Sequence, residues 1–87
     1  MNNNLHERLK NLNVLFVDDD IYVIDIMKEI LPYLFNRSFY AADGVEGLSI
    51  FKNNHIDIIL TDLHMPNMNG IKMTQEIKTI NKNIKTI

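Results

Sequence analysis

An α/β fold with a parallel sheet is predicted by three features of the 87 residues. Short apolar runs rich in β-formers alternate with stretches in which apolar residues recur every three or four positions. The runs end in carboxylates or turn residues, and the connections are only a few residues long. Such alternation specifies strand–helix–strand crossovers, with helices covering the faces of the sheet. Lys+Arg 9 against Asp+Glu 11 and 46% hydrophobic residues describe one globular unit near the small end of the domain range. A chain of this size buries only about 60 to 70% of its unfolded surface, so each layer matters to stability.

Residues 1–12 form a polar, asparagine-rich lead-in in which Leu5, Leu9 and Leu12 stand at near-helical spacing. A short helix and a frayed terminus both fit that pattern. Val14-Leu15-Phe16-Val17 is too short for a helix and is the first expected strand, ending in Asp18-Asp19-Asp20. From Ile21 to about Leu34, Val23, Met27, Ile30 or Leu31, and Leu34 form a helical stripe with Asp20 as its N-cap. Pro32 is expected to kink or end that helix, because its ring cannot donate to the ladder and clashes with the preceding turn.

Ser38 to Ala42 is the second expected strand, and Asp43-Gly44 is the turn after it. Val45 to about Asn54 follows as a helix presenting Val45, Leu48 and Phe51 on one side. His55-Ile56 leads into Asp57-Ile58-Ile59-Leu60-Thr61-Asp62, an apolar run that delivers Asp62 to a strand's carboxyl end, and Pro66, Asn67, Asn69 and Gly70 supply turn chemistry. Met73, Ile77 and Ile80 then mark a helix, residues 81–83 a turn, and Ile84 to Ile87 the start of a fourth strand.

A net charge of −2 gives no basic footprint for nucleic acid, and the four lysines from Lys72 to Lys85 are spaced like a solvated helix face. Without cysteine there is neither a disulfide nor a thiolate metal site. No run of eighteen apolar residues occurs, and the amino terminus lacks the basic start and apolar core of a signal peptide, so a cytoplasmic location is expected.

In a parallel sheet all strand carboxyl ends lie on one rim, where ligands bind, so Asp18, Asp19 and Asp62 are expected to converge there. Two like charges 4 Å apart repel by about 4 kcal/mol at an effective dielectric near 20, so three such carboxylates call for a cation, a raised pKa or wide separation. Mg2+ suits them, because it takes oxygen ligands and keeps waters that phosphate oxygens can replace. One cap needs only one aspartate, which leaves Asp18 and Asp19 for other work once Asp20 is assigned to the helix.

Three blocks in this order resemble the receiver (phosphoacceptor) domains of two-component response regulators, of the chemotaxis-regulator kind. They are Val14-Leu15-Phe16-Val17-Asp18-Asp19-Asp20, Ala42-Asp43-Gly44-Val45-Glu46-Gly47-Leu48, and Asp57-Ile58-Ile59-Leu60-Thr61-Asp62-Leu63-His64-Met65-Pro66-Asn67-Met68-Asn69-Gly70. The resemblance implies a flavodoxin-like three-layer α/β/α fold with strand order 2-1-3-4-5, residues 13–87 forming a partial receiver. It implies Asp62 as phosphoacceptor, and Mg2+ held by Asp18, Asp19, Asp62 and the backbone carbonyl of His64. The His64 side chain, His6 and His55 are given no ligand role. The implied partner is a histidine kinase, and any activity is limited to self-directed phosphotransfer or autodephosphorylation.

Receivers also carry a Ser or Thr at the end of strand four and a Lys at the end of strand five, and both positions lie beyond Ile87, with Thr86 too early to serve. The matched region stops soon after the helix that follows Gly70, so weak Mg2+ binding and phosphoryl acceptance that is slow or absent are expected of these 87 residues. An exposed sheet edge would favour a homodimer, edge-paired or swapped. Two other functions compete: a structural or dimerisation fragment without phosphotransfer, and a phosphatase resembling the haloacid dehalogenases, with Asp18 as nucleophile and Asp20 as acid. Ile21 and Tyr22 fit that last family poorly.

Overall fold

The computed structural model describes residues 3–62, 65 and 68–87. Its elements are α1 (Asn3–Leu9), β1 (Asn13–Val17), α2 (Ile21–Leu34), β2 (Arg37–Ala41), α3 (Gly44–Asn53), β3 (Ile58–Thr61), α4 (Gly70–Ile80) and β4 (Lys85–Thr86). The four strands pair in parallel in the order β2-β1-β3-β4, as in the first four places of the expected order. The lead-in is helical, and Leu9 and Leu12 pack on the core. No helix among the described residues is long and apolar enough to cross a membrane.

β1 runs through the middle of the sheet, and its residues Val14, Leu15 and Val17 are fully buried. Its side chains alternate between two cores, as a strand covered on both faces requires. Leu15 and Val17, with Ile59 of β3, pack against Phe51 of α3 and Met73 and Ile77 of α4. Val14 and Phe16, with Ile58, pack against Ile24 and Leu31 of α2 and Phe35 just after it. The sheet is therefore sandwiched, with α2 on one face and α3 and α4 on the other.

Several local expectations are corrected. Pro32 does not end α2 at its own position: it stands in the last turn, where its missing N–H costs a single ladder bond. The helix continues to Leu34 and closes with the Phe35 N–H donating to the Leu31 carbonyl at 2.9 Å. Leu31, not Ile30, is the buried member of that pair. The buried side of α3 is Gly44, Gly47 and Phe51, with Val45 54% exposed, because the helix approaches its neighbours along its glycines. Ile80, at the end of α4, is 54% exposed, whereas Met73 and Ile77 are fully buried. The second strand is shifted one residue earlier, to Arg37–Ala41, and the fourth is trimmed to Lys85–Thr86, with Ile84 buried just before it.

Ile77→Ala is expected to cost about 2 to 5 kcal/mol in urea unfolding, because it leaves a cavity between α4 and the sheet. Ile80→Ala, one turn on and half in solvent, is expected to change stability by no more than about 0.5 kcal/mol. Equal losses at the two positions would contradict this packing.

Candidate functional site

The site is built by strand register. Val17 of β1 pairs with Thr61 of β3, so the next residues, Asp18 and Asp62, leave the sheet side by side. The ladder runs on past the strand ends, because the Asp62 N–H donates to the Val17 carbonyl at 3.0 Å and the Asp18 N–H to the Ala41 carbonyl at 3.1 Å. Carboxylate oxygens of Asp18, Asp19 and Asp62 lie within 4.8 Å of one another, with Asp18 partly buried and the other two exposed. The expected convergence is present.

Each neighbour of the cluster has a definable job. Asp18 Oδ1 accepts the Asp20 N–H at 2.9 Å, which turns the chain away from the strand. Asp20 Oδ1 accepts the Tyr22 and Val23 N–H groups at 2.9 and 3.4 Å, making it the α2 N-cap. The acid that a dehalogenase-like mechanism requires is thus occupied with capping. Thr61 Oγ1 donates to the Asp62 carbonyl at 2.8 Å. Gly70, the first residue of α4, lies against that carbonyl so closely that a Cβ there would overlap it and come within 2.9 Å of Thr61 Oγ1. Asn69 caps α4 by accepting the Lys72 N–H at 2.9 Å.

His64, whose carbonyl was expected to complete the metal shell, lies outside the described residues, as do Leu63, Pro66 and Asn67. His6 is exposed, and so is His55, which pairs at 2.9 Å with Asp57 on the far rim of the sheet. Lys72, Lys78, Lys82 and Lys85 are all exposed. Two contributions escaped the sequence reading, the Thr61 hydroxyl and the close approach of Gly70. The sequence pattern marks Gly70 as turn chemistry, and a glycine opening a helix that packs beside a strand end is also a signal for close approach.

The donor set fits a hard divalent cation. Mg2+ holds oxygens at about 2.0 to 2.1 Å, which puts ligands roughly 3 to 4 Å apart across its shell. Carboxylates within 4.8 Å can enter that shell directly or through a retained water. Without a cation, the same proximity is repulsive.

The response regulator receiver domain family profile matches residues 14–87. The chain belongs to this family. The receiver is 35% identical over 77 residues to the sensor histidine kinase RcsC of Escherichia coli K12, a match covering 88% of this chain but 8% of that protein. A chain of the CheX–CheY–BeF3–Mg2+ complex from Borrelia burgdorferi superposes with a TM-score of 0.80 at 33% identity, over 93% of this receiver and 67% of that chain. The co-crystal of the Saccharomyces cerevisiae histidine phosphotransfer protein Ypd1 with the receiver domain of its downstream response regulator Ssk1 gives 0.76 at 27% identity, over 85% of this chain and 51% of that one.

Asp19 is the cluster member best suited to measuring the repulsion, because it is exposed and needed for no cap. In metal-free buffer, Asp19→Asn is expected to raise the melting temperature by a few degrees and to shrink the further rise produced by Mg2+. A lower melting temperature in the variant would show that the cluster is not under repulsive load.

Proposed function

We propose that this receiver accepts a phosphoryl group on Asp62 from a phosphohistidine donor, with Mg2+ held by Asp18, Asp19 and Asp62, as a step in two-component signalling. One observation carries the reading: on a receiver sheet, the Asp62 carboxylate stands within 4.8 Å of two other carboxylates at the strand ends. The family resemblance adds the His64 carbonyl as a further ligand. A bacterial relative named as a histidine kinase, and a receiver crystallised with a histidine phosphotransfer protein, support a histidine donor.

The chain's own groups divide the chemistry. Asp62 is aimed from the strand end by its N–H bond to Val17 and by the contacts of its carbonyl with Thr61 and Gly70. One carboxylate oxygen attacks phosphorus in line with the leaving imidazole nitrogen. The O–P bond forms as the P–N bond breaks, and the released imidazole takes up a proton from water. A carboxylate is a weak nucleophile toward a phosphoryl group, so positioning and charge neutralisation supply most of the acceleration. When bound, Mg2+ contributes neutralisation of the phosphoryl oxygens and of the cluster. Asp18 and Asp19 exist to hold it there, since three bare carboxylates would repel an anionic donor.

Incubation with acetyl phosphate and Mg2+ is expected to add one phosphoryl group by mass, labile to hydroxylamine and mapping to Asp62. Chelation of the metal and Asp62→Asn are each expected to abolish it. Labelling that survives in Asp62→Asn, or no Mg2+-dependent mass gain after prolonged incubation, would defeat the proposal.

A further inference from the structure

We infer that Gly44 is a positioning residue for the carboxylate cluster: by docking the start of α3 on the main chain of Met68, it holds Asn69 and Gly70, and through them the main chain of Asp62, in the arrangement that a divalent cation would meet. The inference rests on the Mg2+ reading of the cluster proposed above.

Gly44 is buried, and its N–H donates to the Met68 carbonyl at 2.8 Å. The first N–H groups of a helix have no partner inside it, so this donor is available for a contact outside α3. Two further N–H groups at that helix start are served locally. Asp43 Oδ1 accepts the Glu46 N–H at 2.9 Å, and Glu46 Oε1 accepts the Ala42 N–H at 2.7 Å. A Cβ on Gly44 would overlap the Met68 carbonyl oxygen and come within 2.8 Å of the Met68 carbonyl carbon and Cγ. A flexible side-chain end could swing aside, but main chain must move.

That movement has a short path to the cluster. Met68 is followed by Asn69, the N-cap of α4, and then by Gly70, which lies against the Asp62 carbonyl. Asp62 in turn is tied to β1 through the Val17 carbonyl. A shift at Met68 therefore acts on the contact that backs Asp62, while Asp18 and Asp19 stay with β1. Gly47, three residues further along α3, provides the contrast. Its Cβ would meet Met73 Sδ at 2.6 Å and Val17 Cγ2 at 3.2 Å, both side-chain atoms of the core. Substitution there presses on side chains, Met73 of α4 and Val17 of β1, and not on the main chain that leads from Asp62 to α4.

The test is calorimetric titration with Mg2+ of the wild-type chain, Gly44→Ala and Gly47→Ala, with thermal unfolding of each. Wild type and Gly47→Ala are expected to bind alike, and Gly44→Ala to bind about tenfold more weakly at a temperature where it is fully folded, the scale typical of lost support around a metal site. Wild-type affinity in folded Gly44→Ala, or an equal loss in Gly47→Ala, would overturn the inference. If Gly44→Ala does not fold, hydrogen exchange of the Gly44 amide in the wild-type chain decides: slower exchange on adding Mg2+ supports the coupling, and unchanged exchange overturns it. Failure of the wild-type chain to bind Mg2+ would instead refute the metal reading itself.

Discussion

The parallel register between β1 and β3 is the constraint on which the rest depends. Side chains in a strand alternate, so a slip of one residue would turn Leu15 and Val17 from the α3–α4 core toward α2. The fully buried Val14, Leu15, Val17 and Ile59 make such a slip costly, and the register that saves the core also sets Asp18 beside Asp62. Apolar packing thereby holds like charges together that would separate in an open chain. A divalent cation held by the three carboxylates would relieve that repulsion.

The strand ends aim the carboxylates, and the helices arriving from the other face secure them. Gly70 lets α4 begin directly against the Asp62 carbonyl, and Gly44 lets α3 begin directly against Met68. Both contacts are backbone approaches that a side chain at either glycine would block. Sites carried on packed elements hold their geometry more closely than sites on free loops. In this receiver the acidic side chains leave strand ends, and the start of α4 lies through Gly70 against the main chain of Asp62.

Much of this was legible in the sequence. The runs Val14–Val17 and Ile58–Leu60 announce strands by composition, the first leading straight into Asp18 and the second through Thr61 into Asp62, so convergence on one rim follows from parallel topology. Which apolar residue of a helix faces inward was harder to read. Val45 and Ile80 fit the helical period yet are half exposed, because α3 turns its glycines to the core and Ile80 is the terminal residue of α4, one turn past the buried Ile77. Pro32 marks the end of α2 only to within a turn, because the helix runs two residues past it and closes at Leu34. The roles of Gly44, Gly70 and the Thr61 hydroxyl depend on approaches between residues far apart in the chain or on main-chain geometry, which no periodicity encodes.

Fluorine NMR of the chain with beryllofluoride tests the central claim, that Asp62 beside a Mg2+ held by Asp18 and Asp19 is built to receive a phosphoryl group. Trifluoroberyllate, which mimics that group, is predicted to give protein-bound fluoride resonances only when Mg2+ is present, and to give none in Asp62→Asn. Bound resonances that persist in Asp62→Asn, or their absence from the wild-type chain at saturating Mg2+, would contradict it.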